Sequence, residues 1–371
     1  MDSLSSRERL INTFNGENID RIATYDIIHN IDLIEHLAND KINSKNAEDL
    51  TCKAVNKILD LVRHFGIPKD LEPRIIKDQD GYVYKKEWWT GSIVSRPFND
   101  LKGAKEVMEK DIERIYKCID ERKICRAALF HLNLFDENFE YFEEVKENFK
   151  RITEKLNGTI MIAPESAGPL VIAETRFDFI WWTYLYNDYP ELATKYLNAL
   201  NDYELAKIDS FADLSITPIS FTSEPAGVNN NLIHSLDFNL KVVLPYVKKL
   251  VKQWKSHGYY HIYFADGYKW PLLDEIISWD LVDAIDPFEP LAQMDVKKFR
   301  EKYPNITICQ PIDCQNLLYS GSPDEVKNAT LKAINDTEGK KIIIGSTSEI
   351  HPNVLIDNAL AMFKAARDYK V

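Results

Sequence analysis

The sequence predicts one (β/α)8 barrel spanning residues 1–371, in which residues 1–150 supply a helical and β-hairpin extension with the first barrel strand and residues 151–371 supply the main barrel units. Three observations predict it. Short, wholly apolar runs alternate with amphipathic helical stretches after residue 150, which is the pattern of a parallel sheet buried on both faces. No Gly/Ser-rich tract, proline linker or change in composition divides that region. No GxGxxG follows an apolar run, which weakens the alternative of a doubly wound open sheet.

Taken in order, Ser5 or Ser6 caps a first helix carrying Leu10, Ile11 and Phe14, and Gly16 ends it. The apolar run Ile22 to Ile28 follows as a strand. From Glu48 to Phe65, apolar residues recur at helical spacing (Leu50, Val55, Ile58, Leu59, Val62) and predict a helix. Between Arg74 and Phe98, β-branched and aromatic residues flank the turn dipeptide Asp80-Gly81 and predict an added β-ribbon. Residues 101–156 return to charged, helix-rich sequence. Strands then fall at Ile160 to Ala163, Ile216 to Phe221, Tyr259 to Phe264, Val282 to Ile285, Ile306 to Cys309 and Ile342 to Ile344. Helices at 190–212, 238–256, 323–336 and 353–369 fill the intervals. These six strands, the Ile22 run and one strand not placed make eight.

Composition narrows the function classes. The chain has 371 residues with 46 basic and 58 acidic side chains, a net charge of −12, which argues against a coat for nucleic acid or anionic membrane. Five cysteines without framework spacing fit a reducing compartment, and the charged start lacks a secretory apolar region, so a cytoplasmic location is expected. No apolar stretch reaches the roughly 18 residues of a membrane helix. The sequons at Asn157, Asn305, Asn328 and Asn335 then read as chance.

In a barrel, chemistry gathers where the strands end, because only the βα loops face a common cavity. Those ends carry Asp26, His29 and Asn30; Glu165 and Ser166; Ser223 and Glu224; Asp266; Asp286 and Glu289; Gln310 and Asp313; and Ser346, Ser348, Glu349 and His351. A single Asp at such a place is an ordinary helix cap, but several together raise one another's pKa or require a cation. His36, His64, His131, His234 and His257 fall in or beside predicted helices and read as structural or solvent-facing. His261, within a strand, reads as a core histidine. Cys309 and Cys314 lack a zinc spacing and read as free thiols. The doublets Trp88-Trp89 and Trp181-Trp182 read as core, with one ring of a pair able to line a cavity.

With these elements in place, the chain resembles the uroporphyrinogen decarboxylase superfamily, and within it the corrinoid-dependent methyltransferases. The segments carrying the likeness are SRERLINTFNGENIDRI, VVLPYVKKLVKQWKSHGYYHIYFADGYKWPLLDEII, DAIDPFEPLAQMDVKKFREKYPNITICQPIDCQNLL, GSPDEVKNAT and IGSTSEIHPNVLIDNALAMFKAARDY. The decarboxylases themselves hold a polycarboxylate with arginines in an N-terminal motif, whereas IATYDIIHN and its surroundings hold none between Arg21 and Arg63. The hairpin segment DGYVYKKEWWTGSIVSRPF and the run PFEPLAQMD are more similar to the methyltransferase branch.

The resemblance implies a methyl transfer from a small O- or N-methylated compound to a corrinoid on a partner protein, and homodimerisation. It also implies a zinc site, but the ligand positions fall on Phe264, Asp266 and Ser348, and of these only Asp266 is a plausible ligand. Two expectations follow: a centre rebuilt from Glu224, Asp266 and His351, or acid catalysis without metal by Asp266, Glu224 and Glu165. The expected roles are Asp266 and Glu224 as ligand or general acid and His29 and His351 as orienting or proton-shuttling groups. Tyr84 or Trp88 would form the substrate lid, with Asp26, Glu165, Gln310 and Ser348 as further substrate contacts. The alternatives are a decarboxylase-like lyase acting on a smaller acid, and a non-catalytic barrel that binds a corrinoid protein.

Overall fold

The computed structural model describes residues 3–64, 66–129 and 139–370; His131 lies outside them. Twelve strands are present among the described residues: β1 Ala23–Asp26, β2 Leu61–Val62, β3 Arg74–Lys77, β4 Val83–Lys86, β5 Gly91–Ser95, β6 Ile160–Met161, β7 Ser166–Ala167, β8 Ile219–Ser223, β9 Tyr260–Phe264, β10 Ala284–Asp286, β11 Thr307–Cys309 and β12 Ile342–Ile344. Nine of them form a sheet in the order β6-β2-β1-β12-β11-β10-β9-β8-β7, with every pairing parallel.

The two edges of this sheet are consecutive pieces of one segment, so the sheet closes. The Ile160 and Ile162 amides donate to the carbonyls of Asp60 and Val62 on one side, both at 2.9 Å, and the Ala163 amide donates to Ile219 O at 2.9 Å on the other. Counting β6 and β7 as one stave gives eight. The stave missing from the sequence reading is β2. The helix expected to run to Phe65 stops at Ile58, and Leu61–Val62 turns into the ring. Two residues are too few to break a helical pattern that Leu50, Val55 and Ile58 satisfy on their own.

Alternate residues of the staves fill the interior: Ala23, Tyr25, Leu61, Ile160, Ile162, Ile219, Phe221, Ile262, Phe264, Ala284, Cys309 and Ile343. Leu10 and Phe14 join this cluster from the first helix, Ser6–Asn15, and Phe14 stacks on Tyr260 at 5.3 Å. That helix starts at a capping box between Ser5 and Glu8 and ends at Gly16 with φ +75°. It closes the N-terminal end of the barrel.

The Asp-Arg signature near residue 20 is part of the same closure. Asp60, which is buried, accepts from Arg9 at 2.6 Å and from Arg21 at 2.6 and 2.9 Å, and it also takes the Thr24 amide at 3.0 Å. Burial opposes ionisation, but the two guanidiniums and the Thr24 amide outweigh it and hold its carboxyl below the usual range. Its stabilising effect is therefore present above the unfolded carboxylate pKa and is lost as pH falls through the lower folded value. Asp60→Asn removes the buried charge that Arg9 and Arg21 share, leaving Arg9 on Asp20, and is expected to cost about 3 kcal/mol, read as a lower urea midpoint.

The ribbon between Arg74 and Phe98 is a three-stranded antiparallel sheet. Its first turn is built as expected: Gly81 has φ +90°, and Asp78 Oδ1 accepts from the Asp80 and Tyr82 amides at 2.9 Å. Tyr82 lies under the Arg176 guanidinium, 3.6 Å from its ring centre, and Arg176 is held by Asp111 at 2.9 Å. Among the described residues, no helix is long and apolar enough to cross a membrane.

Candidate active site

Side-chain alternation decides which residues reach the barrel mouth. Leu61, Phe221, Phe264 and Ala284 point inward, so the residues two positions on, Arg63, Ser223, Asp266 and Asp286, point inward at the C-terminal end. Arg63 is buried, and its Nε donates to Glu165 Oε2 at 2.7 Å. Its guanidinium lies over two adjoining rings, 4.2 Å from the centre of Phe221 and 4.6 Å from that of Phe264.

Asp286 is fully buried, and neither carboxyl oxygen has a hydrogen-bond partner among the described residues. Burial pushes its pKa up to about 8; Asp266 adds to the rise, while Arg63, Lys269 and the adjacent Tyr25 hydroxyl oppose it. Tyr25, also buried, is pushed well above its ordinary value by burial and by Asp286. Lys269 is buried with its ammonium on Pro287 O at 2.7 Å; burial brings it down to about 8 against the pull of Glu289, Asp266 and Asp286. Asp266, half-buried, is raised to about 6 by burial and Glu289, with Lys269 and Arg63 opposing. These groups share one electrostatic neighbourhood.

The rim is aromatic and histidine-rich. Glu349 accepts from His29 Nδ1 at 2.7 Å and faces His351 Nδ1 at 3.2 Å. Burial would raise Glu349, but His29 and His351 hold it low, and His351 is itself lowered by burial. Trp88 meets His29 edge-on at 5.7 Å, and Trp89 meets His351 at 5.7 Å. Gln310 and Ser348, at φ +51° and +105°, meet through Gln310 Nε2 and Ser348 O at 3.3 Å. Positive φ in two non-glycine residues at one rim is uncommon and accompanies functional loops.

The fold thus brings Asp266, Glu165, His29, His351, Trp88, Gln310 and Ser348 to the mouth. Three other candidates are elsewhere. Glu224, three residues beyond the inward Phe221, faces out of the ring; its Oε1 accepts the Val171 amide at 3.1 Å, at the start of the helix Pro169–Phe177. Gly168 is required there, because a Cβ would come within 1.8 Å of Glu224 Oε2. Burial and Glu174 raise the Glu224 carboxyl well above its ordinary value, and it is a helix-end residue, not part of the Asp266 cluster. Glu224→Gln is therefore expected to leave kcat within about twofold, measured in the assay described below.

Asp26 is consumed by the link between β1 and the loop after β12, accepting from the Ser346 amide and hydroxyl at 2.8 Å each. Tyr84 donates to Asp78 at 3.0 Å and lines a cleft of about 570 Å³ beside the ribbon, with Arg114 and Arg126, so it is not a lid residue. Among the described residues no three His, Cys, Asp or Glu side chains converge to hold a metal ion. The expected centre of Glu224, Asp266 and His351 is not assembled, because the Glu224 side chain faces out of the ring onto the helix Pro169–Phe177. The donor set at Phe264, Asp266 and Ser348 does not fit zinc either.

Elsewhere the histidines divide. His261 is buried in β9, hydrogen-bonded to Ser220 at 2.9 Å and lowered to about 3 by burial, as a core histidine is. His234 and His257 pair with Glu174 and Asp209 at 2.7 Å. His64 differs from its helical assignment: following β2, it stands 6.0 Å from His29 at the mouth. Both rings of the Trp88-Trp89 doublet are half-buried at the rim, whereas Trp182 is core. Cys309 and Cys314 are free and buried.

Sequence reasoning gave no role to Arg63, Lys269, Tyr25 or Asp286. A signal existed for Asp286 and Lys269, which lie two residues beyond an inward alanine and three beyond Asp266.

Comparison with known proteins agrees with this architecture. The sequence model of the uroporphyrinogen decarboxylase family matches residues 121–369. A methyltransferase from Methanosarcina mazei has the same fold, with a TM-score of 0.65 and 15% identity over 98% of each chain. A B12-independent methionine synthase from a Shewanella species, solved in complex with selenomethionine, is similar at a TM-score of 0.47 and 12% identity, covering 93% of this chain and 96% of that one. No curated protein matches the chain.

Proposed function

This chain belongs to the uroporphyrinogen decarboxylase family, and from that premise we propose that it is a methyltransferase moving a methyl group from a small O- or N-methylated compound to a corrinoid carried by a partner protein. The observation that carries this reading is Asp286: a carboxylic acid, buried beneath the mouth, whose pKa of about 8 keeps it protonated at neutral pH. When a methyl group leaves a neutral ether oxygen or amine nitrogen, the electron pair left behind must be neutralised. Asp286 can deliver a proton to that heteroatom as the carbon–heteroatom bond breaks.

The other residues divide the remaining work. Asp266, raised to about 6, is half-buried and is felt by Asp286, and in this reading it returns a proton from solvent to Asp286. Glu349 orients His29 and His351, while Trp88 and Trp89 form an apolar wall that limits water. A corrinoid presented by the partner would supply cobalt(I) as the nucleophile. It would approach from the C-terminal face, since the helix Ser6–Asn15 closes the opposite end.

The test is incubation of the purified protein with free cob(I)alamin and a panel of methoxylated and N-methylated compounds, followed by the visible spectrum of methylcobalamin. Formation with at least one donor is expected. Release of carbon dioxide from a small acid without any cobalamin would select decarboxylation instead. Binding of a corrinoid protein with neither reaction would leave a non-catalytic barrel.

A further inference from the structure

Phe264 and Ser348 occupy two of the three positions at which the family resemblance implies zinc ligands, and a phenyl ring cannot ligate zinc. The structure gives the Phe264 ring a different use. With Phe221, whose ring centre is 5.2 Å from its own, it forms an aromatic floor under the Arg63 guanidinium, whose carbon lies 4.6 and 4.2 Å from the two ring centres. A guanidinium does not lose its proton in a protein, is weakly hydrated and tolerates burial against aromatic faces, so it can serve as a permanent cation in a dry pocket. Glu165 fixes it through Nε at 2.7 Å. Asp286, Asp266 and Tyr25 all feel its charge.

We propose that Arg63 is the resident cation of this pocket, standing in for a metal ion, and that it stabilises the negative charge that develops on the leaving heteroatom during methyl transfer. The identity of the leaving group rests on the methyltransferase reading; the replacement of a metal by Arg63 does not. In the step, the methyl–heteroatom bond breaks and its electron pair stays on the heteroatom beside Arg63. The Asp286 proton passes to that atom, and the methyl carbon bonds to the cobalt(I) nucleophile through the electron pair of the latter.

The experiment combines metal analysis of the full chain as purified with variants at Arg63. Arg63→Gln alone leaves the Glu165 carboxylate buried without its partner, which endangers folding, so R63Q/E165Q and R63K accompany it. Zinc well below one per chain is expected, with turnover unaffected by 1,10-phenanthroline. R63Q/E165Q is expected to lose on the order of a hundredfold in kcat with a smaller change in KM, and added guanidinium to restore part of it. One zinc per chain with activity lost to the chelator, or wild-type kcat in R63Q/E165Q, would overturn the proposal.

Should no methyl donor turn over, the methyltransferase reading fails and Arg63 is still tested. Arg63 lowers the Asp286 pKa, so in R63Q/E165Q the infrared band of the protonated Asp286 carboxyl must persist to higher pH than in the wild type. An unmoved titration contradicts the assignment.

Discussion

Replacing Asp286 by asparagine is expected to lower kcat for methyl transfer by about 10²–10⁴-fold while leaving the barrel folded. Asparagine keeps the shape of the carboxyl group and removes the one proton the mechanism places under the leaving atom. The same substitution has a stability signature that reports the raised carboxyl directly. The Asp286 pKa is raised in the folded state to about 8, so its contribution to stability is greatest below the unfolded carboxyl value and is lost as pH rises to the folded one. D286N is therefore expected to show a flatter dependence of the urea midpoint on pH between about 4 and 8, and to be more stable than the wild type on the alkaline side. A D286N protein with undiminished kcat would remove the general acid from the scheme.

Substitution of Asp266 by alanine is expected to reduce turnover nearly as far, on the order of a hundredfold, with a diagnostic change in the pH profile. The Asp266 charge raises the Asp286 carboxyl, and with the two groups at about 6 and about 8 wild-type kcat is expected to follow a bell with limbs near those values. Loss of Asp266 removes the acidic limb. It also removes a charge that holds the Asp286 proton in place, so the alkaline limb moves down. A bell unchanged in D266A, or activity equal to that of the wild type, would take Asp266 out of the reaction.

Much of the barrel was legible because its physics is local. Ile342–Ile344 is apolar on both faces and Tyr260–Phe264 nearly so, as strands wrapped by helices must be, and Ser5, Glu8 and Gly16 announce a helix's two ends within twelve residues. The stave at Leu61–Val62 was not legible. It is held by long-range bonds to β1 and β6 and by Asp60, whose partners Arg9 and Arg21 lie 51 and 39 residues away. Losing that stave also hid Arg63 and moved His64 into an imagined helix.

The site was half legible for a related reason. Listing the polar residues at strand ends found Asp266, His29, Glu165 and His351, but a list ignores which way each side chain points. Counting in twos from Phe221 places Ser223 inside and Glu224 outside, and counting from Ala284 places Asp286 inside. Tyr84 shows the remaining gap: its place beside Asp78 and Arg114 depends on how the ribbon packs on the helix Leu101–Glu121, which no spacing within the ribbon encodes.

The central claim is that a carboxylic acid stays protonated at neutral pH at the base of the mouth. Difference infrared titration of the wild-type protein against D286N addresses it without any substrate. A protonated-carboxyl band that is present at neutral pH, disappears near pH 8 and is missing from D286N is the expected result. A wild-type spectrum in which that band has already vanished by pH 6 would contradict it, because Asp286 would then be an ordinary ionised carboxylate with no proton to give.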